Sequence, residues 1–321
     1  MPRALICGVG GQDGSYLARL LLDKGYAVVG TSRDAQTATF ANHDRLGIRG
    51  RVETVSMTLT DFRSVLQVVD DARPDEVYNL AGQTSVGLSF QLPVETLESV
   101  ATGTLNLLEA LRFTGLPARL YNACSTECFG DTGGEPATEQ TAFRPRSPYG
   151  TAKAAAFWEV ANYREAYGLW ACSGILSNHE SPLRPGRFVT RKIVGAAVRI
   201  AGGSGERLRL GNLDIVRDWG WAPEYVGAMW RMLQAEAPDD YLVATGESRS
   251  LRSFVAEAFE AVGLDWQDHA ESDPALLRPS DLAYSGADPS KAADVLGWRA
   301  EVRGAEVVRR MVAAEQGGAV G

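Results

Sequence analysis

The chain has 321 residues, of which 45% are apolar and 22% charged, which suits one large globular domain or two modest ones. Its net charge of -8 argues against general binding to nucleic acid or to anionic membranes, so neither partner is expected. With no apolar stretch long enough to span a bilayer and no signal peptide at the start, we expect a cytoplasmic location. The four cysteines are expected to be buried reduced thiols, and no metal site is predicted.

The first half of the chain alternates predicted strands with predicted helices. Short apolar runs predict strands at residues 4–7, 27–31, 52–56, 76–81 and 120–123. Helical periodicity predicts helices at residues 15–22, 61–69 and 97–112. Alternation of this kind implies parallel strands joined by right-handed crossovers. We therefore predict an α/β fold with a Rossmann-type doubly wound parallel sheet.

After about residue 177 this pattern loosens and predicts a smaller C-terminal α/β region. Short strands are predicted at 207–210 and 241–244, and helices at 189–200, 223–235 and 251–262. We expect residues 1–176 to form the dinucleotide-binding domain, with segments of about 207–260 partly returning to it. Residues 177–321 are expected to bind mainly substrate, and residues 316–321 to form a frayed tail.

A glycine-rich turn follows the first predicted strand and opens the first helix. Its glycines are Gly8, Gly11 and Gly14, with Gln12 and Asp13 between the last two. Glycine lets the backbone approach a pyrophosphate, which then lies at the positive end of the helix. Because the pattern stands between a strand and a helix, it predicts a dinucleotide-binding site.

The loop after the second strand bears on the choice of cofactor. An arginine there accepts the 2′-phosphate of NADP, whereas an acid binds the ribose hydroxyls of NAD. The sequence has Arg33 followed by Asp34. Arg33 favours NADP, and Asp34 keeps NAD open as the alternative.

Four residues form a candidate proton-transfer set. Tyr149 and Lys153 lie on one face of a predicted helix, and we expect the ammonium to lower the pKa of the phenol so that it can deprotonate a sugar hydroxyl. Ser125 follows the fifth strand and can share that proton. Glu127 is the carboxylate that a dehydratase needs to take a proton from carbon and protonate a departing hydroxyl, although a structural capping role stays open.

Several segments together resemble the GDP-mannose 4,6-dehydratases, an extended short-chain dehydrogenase/reductase family, over nearly the whole chain. They are residues 11–17, 78–83, 146–150, 178–182, 188–192, 210–214, 217–220 and 244–247. The Asn-His-Glu-Ser-Pro and Arg-Asp-Trp-Gly stretches are distinctive of that family. The resemblance implies that Ser125, Glu127, Tyr149 and Lys153 are catalytic, with Ser125 in place of the family's threonine.

The resemblance also implies the reaction. GDP-mannose would be oxidised at C4 with hydride passing to NADP, lose water across C5 and C6, and regain the hydride at C6. The product would be GDP-4-keto-6-deoxymannose, so the protein would be a lyase. A reductase or epimerase of a related nucleotide-linked 4-keto sugar remains the alternative, and a non-catalytic dinucleotide sensor is the third possibility.

The ligand-binding residues follow from the same resemblance. The cofactor would be bound by Gly8, Gly11, Gln12, Asp13, Gly14, Arg33, Leu59, Leu80, Ala81, Tyr149 and Lys153. The nucleotide sugar would be bound by Ser85, Asn178, Val189, Lys192, Arg217, Arg278 and Asp281. Basic side chains suit a diphosphate, which arginine can grip with two hydrogen bonds. His179 is expected to be a packed structural histidine.

The sequence departs from the family at several positions. Asp34 replaces a second basic residue, Thr58 an aspartate near the adenine, Val100 a polar residue and Val216 a common lysine. The loop at residues 35–42 does not match the basic loop through which family members pack into tetramers. A homodimer is therefore expected, with a tetramer left open, and the exact sugar and base are not fixed.

Overall fold

The computed structural model describes residues 1–317, so most of the predicted frayed tail lies outside the described residues. The strands are β1 Arg3–Cys7, β2 Ala27–Ser32, β3 Glu53–Ser56, β4 Glu76–Asn79, β5 Arg119–Ser125, β6 Ala171–Leu176, β7 Asn178–Glu180, β8 Leu208–Leu210, β9 Val216–Trp221, β10 Tyr241–Val243, β11 Ser248–Ser250, β12 Ala270–Ser272 and β13 Tyr284–Ser285.

The helices connect these strands. They are α1 Gln12–Asp23, α2 Ala41–Arg45, α3 Phe62–Ala72, α4 Val86–Ser89, α5 Pro93–Leu97, α6 Gly103–Thr114, α7 Pro148–Tyr167, α8 Val189–Ala201, α9 Ala222–Gln234, α10 Leu251–Glu260, α11 Trp266–His269, α12 Ser290–Leu296 and α13 Ala305–Glu315. Within residues 1–317, none of them has both the length and the apolar composition required to cross a membrane.

Seven parallel strands form the main sheet, in the order β10-β6-β5-β4-β1-β2-β3. In register, Leu5 of β1 lies between Val29 of β2 and Val77 of β4. The strand order therefore reverses between β1 and β4. In open α/β sheets of this kind, ligands bind at the carboxyl ends of the strands where the order reverses.

The two faces of the sheet pack against different helices, because successive side chains of a strand point to opposite sides. Ile6 and Tyr78 belong to an apolar cluster with residues of α1 and α9. Leu5 and Val77 belong to another with residues of α3, α6 and α7. Helices thus cover both faces, and the predicted doubly wound fold is confirmed.

A smaller region follows the main sheet in sequence. Its central strand, β9, pairs with β7, β11 and β13, while β8 pairs with β12. Helices α8, α10 and α13 pack around an apolar cluster that includes Ile193, Trp219 and Phe254. From the segment 207–260, α9 packs against α1 and β10 joins the main sheet beside β6.

Two predicted elements differ from the structure. The single helix predicted at 97–112 is wrong: α5 ends at Leu97, a π-helical turn covers Glu98–Thr102, and α6 then begins. A π turn inserts a residue that a search for helical periodicity does not register. The strand predicted at 76–81 ends at Asn79, because the chain turns at Gly82, where φ is +117°.

Candidate active site

A cavity of about 1070 Å³ lies at the carboxyl ends of the main-sheet strands and extends to the C-terminal region. Its wall includes the residues directly after β1, β2 and β4, the end of β5 and the start of α7. Every residue predicted to react or to bind cofactor or substrate lines this cavity. The structure therefore brings the predicted set together, although lining the same cavity does not assign a role to each residue.

The glycine-rich turn is shaped for a close backbone approach. Gly8 has φ +83°, which favours glycine, and a Cβ at Gly14 would lie 2.4 Å from the Gly8 carbonyl oxygen. Helix α1 begins after Gly11, and no side chain among the described residues caps its first backbone N–H groups. The first residues of the helix line the cavity. This cradle fits the pyrophosphate of a dinucleotide.

The side chains of Gln12 and Asp13 are held by the segment after β6. Gln12 Oε1 accepts a hydrogen bond from Ser181 Oγ at 2.8 Å, and Asp13 Oδ2 lies 3.0 Å from His179 Nε2. His179 is buried and stacks on Tyr225, as expected of a packed histidine. Burial lowers the pKa of His179, but the charge and hydrogen bond of Asp13, together with a hydrogen bond to the Ser177 carbonyl, leave it raised. Since both side chains are engaged within the protein, Gln12 and Asp13 would contact a ligand mainly through their backbone groups.

The catalytic candidates come from three adjacent elements. Ser125 ends β5, and Glu127 lies in the short 3₁₀ turn Thr126–Cys128. Tyr149 and Lys153 lie on α7, whose first turn is capped by Ser147 Oγ, which accepts from Gly150 N at 3.0 Å. A Cβ at Gly150 would lie 2.8 Å from the Glu127 carbonyl oxygen, so glycine is required where the helix meets the turn.

The expected lowering of the Tyr149 pKa by Lys153 is wrong for this arrangement. Burial raises the pKa of Tyr149 above its ordinary value, and a hydrogen bond with Ser125 only partly opposes that rise. Lys153 Nζ donates to the Ala123 carbonyl oxygen at 2.6 Å, and burial lowers the pKa of this ammonium. The ammonium is thus directed to the backbone of β5, with Nζ 5.9 Å from the centre of the Tyr149 ring.

Glu127 faces a group of charged side chains from the C-terminal region. Burial raises the pKa of the Glu127 carboxyl, whereas the positive charges of Arg217 and Arg278 oppose that rise. Arg217 is buried and donates through Nη2 to Asp281 Oδ1 at 3.0 Å, and Arg278 Nη1 lies 3.5 Å from the same oxygen. One carboxylate therefore holds both arginines beside Glu127.

Two of the remaining substrate candidates have hydrogen-bond partners within the protein. Lys192 Nζ donates to the Arg209 carbonyl oxygen at 2.6 Å, and Ser85 Oγ accepts from Leu88 N at 3.3 Å. Two arginines that we did not predict, Arg184 and Arg187, also line the cavity. Their guanidinium carbons lie 4.1 and 5.1 Å from the ring centre of Phe188. The one feature of the sequence that could have indicated these arginines is their position between two segments that resemble the family, residues 178–182 and 188–192.

The fold and the site together define an enzyme of the extended short-chain dehydrogenase/reductase class. A solved structure of UDP-glucose 4-epimerase from Thermus thermophilus in complex with NAD is 30% identical, with a TM-score of 0.86 over 98% of this chain and 99% of that one. The structure of RMD from Pseudomonas aeruginosa with NADPH is 22% identical, with a TM-score of 0.81 over 99% of both chains, and shows the same fold.

The particular family follows from sequence comparison. The family model described as GDP-mannose 4,6 dehydratase matches residues 5–311. GDP-mannose 4,6 dehydratase 1 of Arabidopsis thaliana is 46% identical over 96% of this chain and 88% of that protein. GDP-mannose 4,6-dehydratase of Sinorhizobium fredii is 44% identical over 96% and 95%. The chain belongs to the GDP-mannose 4,6-dehydratase family, whose members are lyases.

We predict that Arg217→Gln raises the pKa of the Glu127 carboxyl, because Arg217 opposes the effect of burial more strongly than Arg278 does. Arg278→Gln should shift the pKa in the same direction by a smaller amount. Carbon-13 NMR titration of labelled glutamate side chains measures both shifts, with Glu127→Gln used to assign the resonance. Lys192→Gln is the control and should leave the titration unchanged. A Glu127 pKa that is unchanged or lowered in Arg217→Gln would contradict this electrostatic account.

Proposed function

We propose that the protein converts GDP-mannose to GDP-4-keto-6-deoxymannose, by oxidation at C4, loss of water across C5 and C6, and return of the hydride to C6. The observation that carries this proposal is the convergence of Ser125, Glu127, Tyr149 and Lys153 on one cavity with a dinucleotide cradle. Membership of the family supports the choice of reaction and substrate.

The cofactor of this reaction is a nicotinamide dinucleotide, which when bound supplies a reversible acceptor for the hydride. The residues that would hold it are the glycines of the turn together with Arg33, Leu59, Leu80 and Ala81. The missing Cβ atoms at Gly8 and Gly14 support this assignment, because a side chain at either position would meet backbone at 3.0 Å or less. The binding of NAD by the Thermus epimerase is in keeping with it.

We propose NADP rather than NAD as the cofactor. Arg33 lines the cavity, whereas Asp34 is absent from its wall among the described residues. The Asp34 carboxylate accepts hydrogen bonds from Gln36 N and Thr37 N at 2.9 and 3.2 Å and so closes its own turn. The Asp34 carboxylate, which would favour NAD, is thus engaged by the backbone of its own turn. Arg33 is left to bind the 2′-phosphate of NADP.

The proposed roles of the catalytic residues follow from their positions. Tyr149 removes the proton of the C4 hydroxyl, and Ser125, its hydrogen-bond partner, orients that oxygen. Lys153, one helical turn after Tyr149, donates to the Ala123 carbonyl oxygen and so holds the start of α7 against the end of β5, where Tyr149 and Ser125 meet. Glu127, ionised with the help of Arg217 and Arg278, takes the C5 proton and then protonates the leaving hydroxyl at C6.

We assign nucleotide-sugar binding mainly to the region after residue 176. The diphosphate would be bound by three basic side chains that line the cavity, those of Arg217, Arg278 and Lys192. Because the protein as a whole is negatively charged, the attraction for the diphosphate would come from this local group of cations. Ser85, Asn178, Val189 and Asp281 complete this half of the cavity. We place the enzyme in the cytoplasm, a reducing compartment, since all four cysteines are buried free thiols.

Replacing Glu127 by Gln tests the proposed reaction most simply. We expect loss of dehydration by about 10²–10⁴-fold, since the amide cannot transfer the proton, with NADPH binding unchanged. Mass spectrometry of GDP-mannose incubations measures the loss of water, and fluorescence titration measures cofactor binding. Glu95→Gln, which alters another carboxylate on the cavity wall, is the matched control and should keep normal turnover. Normal loss of water in Glu127→Gln would show that Glu127 is not the acid–base group, whereas no loss of water with the unmodified protein would favour a reductase or epimerase.

Replacing Arg33 by Ala tests the cofactor. The loss of a charge-assisted contact with the 2′-phosphate should weaken NADPH binding by about tenfold or more while NADH binding stays unchanged. Fluorescence titration of the protein with both dinucleotides provides the measurement. Asp34→Asn is the control and should not improve NADH binding. Tighter binding of NADH by the unmodified protein, unaffected by Arg33→Ala, would show that NAD is the cofactor.

We propose that the protein is a homodimer. Helices α5 and α7 pack together and expose Leu92 at the start of α5, Val94, Leu97 and Trp158, of which Val94 and Trp158 are 67% and 62% exposed. An exposed group of large apolar side chains is typical of a protein interface. A second copy of the chain would cover it.

Light scattering after size-exclusion chromatography tests this proposal. We expect a dimer for the unmodified protein and a monomer for the double variant Val94→Glu, Trp158→Glu, because each charge would have to be buried in the interface. Val295→Glu changes an equally exposed apolar residue on α12 and serves as the control. A monomeric unmodified protein, or a double variant that still forms dimers, would overturn the assignment of this surface.

A further inference from the structure

Two backbone carbonyls of the glycine-rich turn are held by side chains of α2, the short helix between β2 and β3. Asn42 Nδ2 donates to the Gly10 carbonyl oxygen at 3.1 Å. His43 Nε2 lies 3.1 Å from the Val9 carbonyl oxygen, which also accepts from Ser15 Oγ at 3.0 Å. These contacts join residues more than thirty positions apart and fix two consecutive peptide groups of the turn.

Phe40 completes this support in an unfavourable backbone conformation. Its φ of 45° and ψ of 37° lie in the left-handed region, which bulky residues rarely adopt. Its ring stacks on His43 with centroids 5.2 Å apart, and its Cδ1 lies 3.3 Å from where a Cβ at Gly10 would stand. Strain of this kind persists where surrounding contacts enforce it, and it clusters at ligand sites.

The two held carbonyls determine where the backbone N–H groups of the turn point. In a trans peptide the C=O and the next N–H point in opposite directions, so fixing the Val9 oxygen turns the Gly10 N–H away from His43. Gly10 lines the cavity, and in residues 1–317 no acceptor takes its N–H. The Gly11 N–H is already used by the Gly8 carbonyl oxygen at 3.1 Å. The Gly10 N–H is therefore, within the described part of the chain, an unused donor on a residue that lines the cavity.

We infer that Phe40, Asn42 and His43, here called the brace, are positioning residues that hold the turn in the shape that binds a dinucleotide pyrophosphate. This inference rests on the proposed function. Burial lowers the pKa of His43, so a neutral ring donates to Val9 and adds no charge beside the phosphates. Because Arg33 begins the same loop, one segment between β2 and β3 supports the pyrophosphate and supplies the cation for the 2′-phosphate.

The test compares cofactor affinity with stability and turnover. In the double variant Asn42→Ala, His43→Leu, the dissociation constant for NADPH should rise by about tenfold, as expected for two lost hydrogen bonds. The kcat at saturating cofactor should stay within about twofold, because the catalytic residues are untouched. Asn42→Ala alone, with its half-buried side chain, is a milder variant that should show part of the loss even if the double variant unfolds.

Two further variants separate positioning from general stability. His43→Gln retains an N–H that can reach the Val9 oxygen, and should restore most of the affinity. Gln234→Ala removes a hydrogen bond to Glu76 at 2.9 Å, remote from the cavity, and should lower the melting temperature without changing NADPH binding. If the unmodified protein binds NADPH and the Asn42 and His43 variants bind it equally well, the positioning role proposed for the brace is wrong. A protein that binds no dinucleotide would instead overturn the proposed function itself.

Discussion

The site depends on one close contact, the approach of the first turn of α7 to the backbone of Glu127. Gly150 permits it, since any side chain there would collide with the Glu127 carbonyl oxygen. Ser147 caps the helix at the same place and fixes its first residues. With the start of α7 held against the end of β5, Tyr149 meets Ser125, and Lys153 reaches back to the strand through Ala123.

A second constraint is electrostatic and comes from the C-terminal region. A buried carboxylate such as Glu127 resists ionisation, and the two arginines held by Asp281 offset that resistance. The same arginines line the part of the cavity assigned to the diphosphate. Substrate binding and ionisation of the proposed acid–base group are thus connected, because a phosphate placed on Arg217 or Arg278 changes the field that Glu127 experiences.

Local patterns were enough to predict the doubly wound fold, the glycine-rich turn and the location of the four catalytic candidates. They work because each depends on neighbours in sequence: a strand followed by a glycine turn, or a tyrosine one helical turn from a lysine. The π turn at Glu98–Thr102 was missed because it interrupts a helix without changing its composition. The pKa of Tyr149 was mispredicted because burial, which raises it, is a property of the assembled fold.

Contacts between distant segments also could not be predicted from the sequence. The pairing of Asp13 with His179 spans 166 positions, and the contacts of Asn42 and His43 with the glycine turn span more than thirty. Neither leaves a periodic signal. Both act on the dinucleotide cradle, so the residues that shape this cradle are drawn from three separate parts of the chain.

The central claim is that a hydride leaves C4 of the sugar and returns to C6 of the same molecule. GDP-mannose deuterated at C4, incubated with the protein and a catalytic amount of NADP, tests it directly by mass spectrometry and NMR. The account predicts a product lighter by one water that carries the deuterium at C6, with no net reduction of the cofactor. Deuterium accumulating in stoichiometric reduced cofactor, or a sugar that keeps all its oxygen, would contradict it.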